Sequence, residues 1–309
     1  MIPVLDIAAR LALYAALTLL LGLLSFTLIG ARGGEAPRPS RRGWLGFLVV
    51  LSLLATVAQL LTQTAAMAGS LAAASDLLTL QLVLTTTATG RMTILRVVLL
   101  GLTAAALFVT PRRRPMIGAV LGSAVAAGAL ATLAWNSHAA MQDSRTGLVH
   151  LSADIVHMWA AAIWIGALAA LSTSVLRKTD AQTETGARAA FDALARFSVV
   201  GPAVVAVLVL TGLVNGAFLV GVGNVLSLAT NLYGRLLLLK LALFAAMLGL
   251  AAANRYRLTP ALGQTLSDAA ARGPVLARLR RCLVLETALA ALVLVLVAWL
   301  GTLAPPVSG

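Results

Sequence analysis

Val4-Leu-Asp-Ile-Ala-Ala-Arg-Leu-Ala-Leu-Tyr-Ala-Ala-Leu-Thr-Leu-Leu-Leu-Gly-Leu-Leu-Ser-Phe-Thr-Leu-Ile29 is a 26-residue run with only two charged side chains, Asp6 and Arg10. As a helix it reaches about 39 Å, more than the roughly 30 Å of a bilayer's hydrocarbon. The residues ahead of it, Met1-Ile-Pro, lack the basic n-region of a cleaved signal peptide, so the run is expected to be retained as a span.

The rest of the chain has the same character. Of 309 residues, 60% are hydrophobic and 11% charged, and the mean hydropathy is +0.97. A soluble domain of this length has no interior large enough for that much apolar surface, so membrane lipid must be the solvent. The expected fold class is all-α, a polytopic integral membrane helical bundle forming one transmembrane domain over 1–309. A single cysteine, Cys282, excludes an internal disulfide and any Cys-x-x-Cys motif. The net charge of +13 does not point to nucleic acid, because no basic stretch alternates with aromatics.

Eight spans fit, at about 4–29, 44–69, 92–110, 116–136, 150–175, 197–221, 234–254 and 282–303. Four connecting segments are strongly basic. They carry Arg32, Arg38, Arg41 and Arg42; Arg112, Arg113 and Arg114; Arg177, Lys178, Arg188 and Arg196; and Arg255, Arg257, Arg272, Arg278, Arg280 and Arg281. With eight spans all four lie on one side, which the positive-inside rule makes cytoplasmic. Both termini then face outward. The stretch 70–91 is apolar, but its short length and the run Thr85-Thr-Thr-Ala-Thr89 favour an interfacial helix over a ninth span.

An internal echo suggests two parallel four-span halves, 1–136 and 150–303. Gly90-Arg91-Met-Thr-Ile-Leu-Arg96 opens span 3, and Gly234-Arg235-Leu-Leu-Leu-Leu-Lys240 opens span 7, 144 residues later.

The chain's three histidines, His138, His150 and His157, fall within 20 residues at the outward junction of spans 4 and 5. On a helix, His150, Asp154 and His157 share a stripe about 60° wide, and the two imidazoles are separated by a rise of about 10 Å. That is long for one ion bridged by both rings, so a site shared across helices with His138 is expected. Asp154 would be a ligand or would orient a ring. Met141 and Met158 lie alongside, and imidazole with thioether suits copper, Met favouring Cu(I). The competing reading makes His138 and His150 solvated interface residues, Asp154–His157 a structural pair, and the methionines core filler.

Arg96 and Lys240 lie a turn or more inside the membrane and would snorkel, or pair with Asp154 or Glu286. For Glu286 a structural ion pair is expected. Asn215, Gln59 and Gln63 are candidates for interhelical hydrogen bonds, and Gly118-x3-Gly122 and Gly212-x3-Gly216 for close helix contact. Trp135 and Trp159 read as aromatic-belt residues, and Trp164 as packed between helices. No P-loop, P-type phosphorylation motif, Gly-x-Ser-x-Gly elbow or His-Glu-x-x-His helix occurs, so no enzymatic activity is expected.

Val149-His-Leu-Ser-Ala-Asp-Ile-Val-His157-Met-Trp-Ala-Ala-Ala-Ile-Trp164-Ile-Gly166 resembles the His-then-Trp-x-Gly signature of the bacterial copper resistance protein D family. So do Ala195-Arg-Phe-Ser198 with Leu210-Thr-Gly-Leu-Val-Asn215, and Leu228-Ala-Thr-Asn-Leu-Tyr233-Gly-Arg leading to Lys240 and Asn254-Arg-Tyr-Arg-Leu-Thr-Pro260. The likeness is concentrated in about 149–260. Where the family's usual motif is Trp-x-Gly-Gly, this chain has Ala167. The resemblance implies an inner-membrane protein of copper homeostasis that passes copper inward, served by a separate periplasmic copper-binding protein.

The leading expectation is therefore a copper permease with copper ion, Cu(I) or Cu(II), as its cargo. His138, His150 and His157 would capture the ion, Asp154 would offset its charge, and Met141 or Met158 would hold Cu(I). The inward route would pass Asn215 and Glu286. Two rivals stand beside it: a membrane haem or electron-transfer protein, limited to at most one haem by three outward histidines, and a non-transporting scaffold.

Overall fold

The computed structural model describes residues 2–31, 40–111, 114–136, 145–176, 183–221 and 228–305. Helices α1 (Ile2–Ala31) and α2 (Ser40–Ala68) are followed by a short α3 (Leu77–Thr86), then α4 (Ala88–Phe108), α5 (Pro115–Ala131) and α6 (Arg145–Leu176). After these come α7 (Glu184–Val220), α8 (Leu232–Ala253), a short α9 (Thr259–Gln264) and α10 (Ala269–Leu300). Among the described residues there is no strand, and eight helical segments are long and apolar enough to cross a membrane. They match the eight expected spans one for one.

Two of them start earlier than hydropathy suggests. Helix α7 begins at 184 and α10 at 269, because each has a strong N-cap upstream of its apolar stretch. Thr183 accepts from the Gly186 N–H, and Asp268 from those of Ala270 and Ala271. Hydropathy finds where lipid begins, whereas caps decide where the helix begins. The stretch 70–91 holds only the ten-residue α3, about 15 Å long and half a bilayer's core, capped by Asp76 with Val83 its one buried residue.

Apolar side chains such as Leu102, Val199 and Leu213 stand exposed along the spans, a surface that suits lipid and not water. Inside, two apolar clusters form. One draws on α1, α2, α4 and α5 and includes Leu13, Leu17, Leu48, Leu100 and Leu130. The other draws on α6, α7, α8, α9 and α10 and includes Trp164, Leu168, Leu208, Met247 and Leu279. Helices α1 and α6 join them, with Phe26 of α1 in the second cluster and Ala162 of α6 in the first.

At that joint the two backbones come close together. A Cβ placed on Gly22 would lie 2.7 Å from the Gly166 Cα, and one on Gly166 would lie 2.6 Å from the Gly22 carbonyl oxygen. Two glycines let the backbones touch, as small residues do where helices associate in lipid. Of the two Gly-x3-Gly motifs, only Gly118 has such a close neighbour, the Ala106 carbonyl oxygen at 2.9 Å. A Cβ on Gly216 would meet nothing within 4 Å, and one on Gly212 would make ordinary contact with His157. Spacing alone does not say which face of a helix meets a partner.

The internal echo is also an echo in structure. Thr87 caps α4 by accepting from the Gly90 N–H at 2.9 Å, and Asn231 caps α8 by accepting from the Gly234 N–H at 2.7 Å. Each glycine packs on the backbone just before it, Val83–Leu84 in one case and Leu228 in the other. Each following arginine turns back onto a carbonyl, Arg91 to Thr86 and Arg235 to Ala229.

Candidate functional site

The stripe on α6 faces α7 as a ladder of three rungs. His150 is buried and its ring stacks on Phe218, with centroids 4.7 Å apart and planes 7° from parallel. One turn deeper, the Asn215 side-chain amide reaches Asp154 Oδ1 at 3.5 Å. Below that, His157 Nδ1 is 2.9 Å from the Thr211 hydroxyl oxygen. The rungs follow from antiparallel helices, in which 150, 154 and 157 descend as 218, 215 and 211 do.

The third rung assigns a tautomer. The Thr211 hydroxyl donates to the Val207 carbonyl at 2.6 Å, so its oxygen accepts from His157. Nδ1 then carries the hydrogen, and in the neutral ring Nε2 keeps its lone pair for a ligand.

Asp154 also sits where other helices converge. Tyr14 of α1 and Tyr233 and Lys240 of α8 all lie within range of its charge, and Lys240 acts on His157 as well. Five charged or polar groups from three helices, Tyr14, Asp154, His157, Tyr233 and Lys240, thus share one patch of the membrane interior.

Two of the expected ligands, His138 and Met141, lie outside the described residues. Met158 points away from the ladder and packs against the cluster of α1, α2, α4 and α5. Among the described residues no three His, Cys, Asp or Glu side chains converge as a metal site. Arg96 is buried in α4 and donates to the Thr132 hydroxyl at 2.7 Å. Glu286 accepts from the Trp164 indole N–H at 3.2 Å and the Asn254 amide at 3.0 Å. Neutral donors thus hold it where an ion pair was expected. Trp164 is buried between helices as anticipated, but Trp159 is not simply a belt residue, since its N–H bonds the Ala127 carbonyl of α5 at 2.9 Å.

A second polar group was missed. On α1, Asp6 and Arg10 pair at 2.9 Å, Gln59 and Thr62 of α2 donate to Asp6, and Tyr14 hydrogen-bonds Arg10. The spacing 6, 10, 14 is a one-face helical stripe and was readable in the sequence. It leads from the start of α1 toward Asp154.

Comparison with known proteins now adds to this geometry. Residues 1–148 match the model of the copper resistance protein D-like N-terminal domain, and residues 191–300 match that of copper resistance protein D. The chain is 37% identical over 309 residues to the copper resistance protein D of Pseudomonas syringae pv. tomato, covering 97% of each. The chain belongs to the copper resistance protein D family. Its similarity extends to the copper transport protein CutJ of Bacillus subtilis, 32% identical across 79% of this chain and 45% of that one. The inner membrane protein YebZ of Escherichia coli is 33% identical across 56% of this chain and 55% of that one. None of these names is that of an enzyme. No solved structure matches. The α6 stripe from His150 to Gly166 falls between the two matched segments, so in this member of the family its role rests on the geometry above.

Proposed function

We propose that this protein is an inner-membrane, multi-pass protein of copper homeostasis that takes copper at an extracytoplasmic site on α6 and passes it inward. Family membership supports the copper assignment, and the ladder of His150, Asp154 and His157 against α7 carries the choice of site. His150 and His157, joined by His138 and Met141 from the segment that precedes α6 in the chain, supply nitrogen and sulfur ligands of the kind copper takes. Met158, turned toward the core, is proposed as a ligand only after a local rotation. A separate periplasmic copper-binding protein would deliver the ion. Both termini then face outward, with the basic loops cytoplasmic.

The chemistry of the patch is that of a cation relay. His157 offers Nε2 because its Nδ1–H is committed to Thr211. Asp154 offsets the positive charge of the incoming ion, and until copper arrives the Lys240 ammonium balances the Asp154 carboxylate. A metal ion entering the patch competes with a tethered ammonium, so binding is moderate and release possible, as a permeation site requires. Arg96 braces the neighbouring helix pair. Asn215, on the rung of Asp154, and then Glu286, beyond His157, mark the inward direction.

The test is titration of the detergent-purified protein with Cu(I) and Cu(II), comparing wild type with His138→Ala, His150→Ala and His157→Ala. Stoichiometric binding weakened at least tenfold in each variant supports the site. Equal binding in all four removes it.

A further inference from the structure

About 21 Å along α6 from His150, fourteen residues deeper at the helical rise, lies a second set of ligand-type atoms at Trp164. Cys282 and Glu286 sit one turn apart on α10, with 8% and 2% of their surfaces exposed. Facing them is Asn254, 7% exposed, the first residue of a π-type turn (Asn254–Leu258) that breaks the regular ladder where α8 ends. Such turns are frequent at functional positions. Asn254 hydrogen-bonds Cys282 as well as Glu286. Its Oδ1 is buried with no hydrogen-bond partner. The Cys282 thiol points at the Leu250 carbonyl, 3.6 Å away.

Two features here suit a ligand. Glu286 is a buried carboxyl group whose hydrogen-bond partners among the described residues are two neutral N–H donors, and a carboxylate in such a place wants a cation or a proton. The Asn254 oxygen is an acceptor that water cannot reach. A thiol one turn away makes a soft cation the best fit, since thiolate sulfur selects Cu(I).

We infer that Cys282, Glu286 and Asn254 form an inner transit site for Cu(I). This rests on copper being the cargo. On binding, the Cys282 S–H bond breaks and an S–Cu bond forms, while the proton passes to the Glu286 carboxylate as an O–H bond. No electron moves, and the site's charge goes from minus one to zero. Asn254 Oδ1 faces the ion as a weak neutral ligand. One sulfur ligand with weak oxygen neighbours holds the ion loosely enough to let it go. Among the described residues Glu286 carries the only charge that acts on Cys282, and no charged side chain from α6, α8 or the turn acts on Glu286.

The chain has one cysteine, so a thiolate-to-Cu(I) charge-transfer band in the ultraviolet can come from no other residue. The full chain in detergent is titrated anaerobically with Cu(I) at several pH values. The expected result is a one-equivalent band in wild type, kept in the His150→Ala/His157→Ala double variant and absent in Cys282→Ser. Glu286→Gln, which preserves the shape that Trp164 and Asn254 hold, is expected to move the pH midpoint of the band up by at least one unit. An unchanged midpoint overturns the role of Glu286 as proton acceptor. No band at saturating Cu(I) in wild type overturns the site, and if copper binding is still lost in the histidine variants, the outer site stands without it.

Discussion

Gly166→Ala should loosen the joint between the two apolar clusters. The new Cβ would lie 2.6 Å from the Gly22 carbonyl oxygen, and closer still to the Cα and carbonyl carbon of that residue. Ordinary contact begins near 3.4 Å, so the oxygen alone demands about 0.8 Å, and backbone cannot rotate away as a side-chain tip can. Overpacking of this kind costs up to about 3 kcal/mol. Alanine's better helix propensity returns about 1 kcal/mol. The clash wins by about 2 kcal/mol, roughly a 30-fold fall in the folded-to-unfolded ratio. Reversible unfolding in mixed micelles, followed by circular dichroism, measures it. Gly101→Ala on α4, where a Cβ meets nothing within 4 Å, is the control and should be neutral or slightly stabilising. If Gly166→Ala is as stable as wild type while Gly101→Ala behaves as expected, the α1–α6 contact is not the joint described above.

Thr211→Val removes the acceptor that fixes the His157 tautomer while keeping side-chain volume, and should weaken copper binding about tenfold in the same titration without lowering thermal stability by more than about 1 kcal/mol. Gly90→Ala and Gly234→Ala should each be destabilising to a similar degree, because both Cβ atoms would strike the preceding backbone, whereas Gly273→Ala should not be; thermal midpoints of the three decide it. Asp6→Ala removes the carboxylate that pairs with half-buried Arg10 and accepts from Gln59 and Thr62, and should cost about 2 kcal/mol in unfolding experiments. Asp76, outside the spans, is held below the usual carboxylate range by hydrogen bonds from the Thr79 hydroxyl and then its backbone N–H. Its folded value is depressed, so its cap on α3 is fully present above about pH 4 and is lost as pH falls through that lower value. Amide exchange at Thr79 should accelerate only in that acid window, and should be fast at every pH in Asp76→Ala.

The sequence carried the architecture because lipid imposes a coarse rule, with each span apolar for about 20 residues, and such runs are visible one at a time. Hence all eight spans were readable, and so was the short 70–91 stretch. The stripe of His150, Asp154 and His157 was readable too, since helical period is local. The Asp6–Arg10–Tyr14 stripe carried the same signal but fell inside a run noticed only for its hydropathy.

Which face of each helix meets which neighbour was not written locally. Gly212-x3-Gly216 has the spacing of a helix-contact motif and the Gly22–Gly166 pair, on separate helices, has none, yet of the two it is the second that brings backbones together. Met158 sits beside His157 in sequence but points about 100° away around the helix, into the apolar cluster. Glu286 gains its partners from residues 122 and 32 positions away. Thus the sequence by itself determined the number of spans, their order and the polar residues each one buries, because those depend on transfer from water to lipid along the chain. The pairing of those polar residues into a ladder on α6 and α7, and into the Cys282–Asn254–Glu286 group on α8 and α10, was decided only by tertiary structure, because it depends on the rotation of packed helices about their own axes.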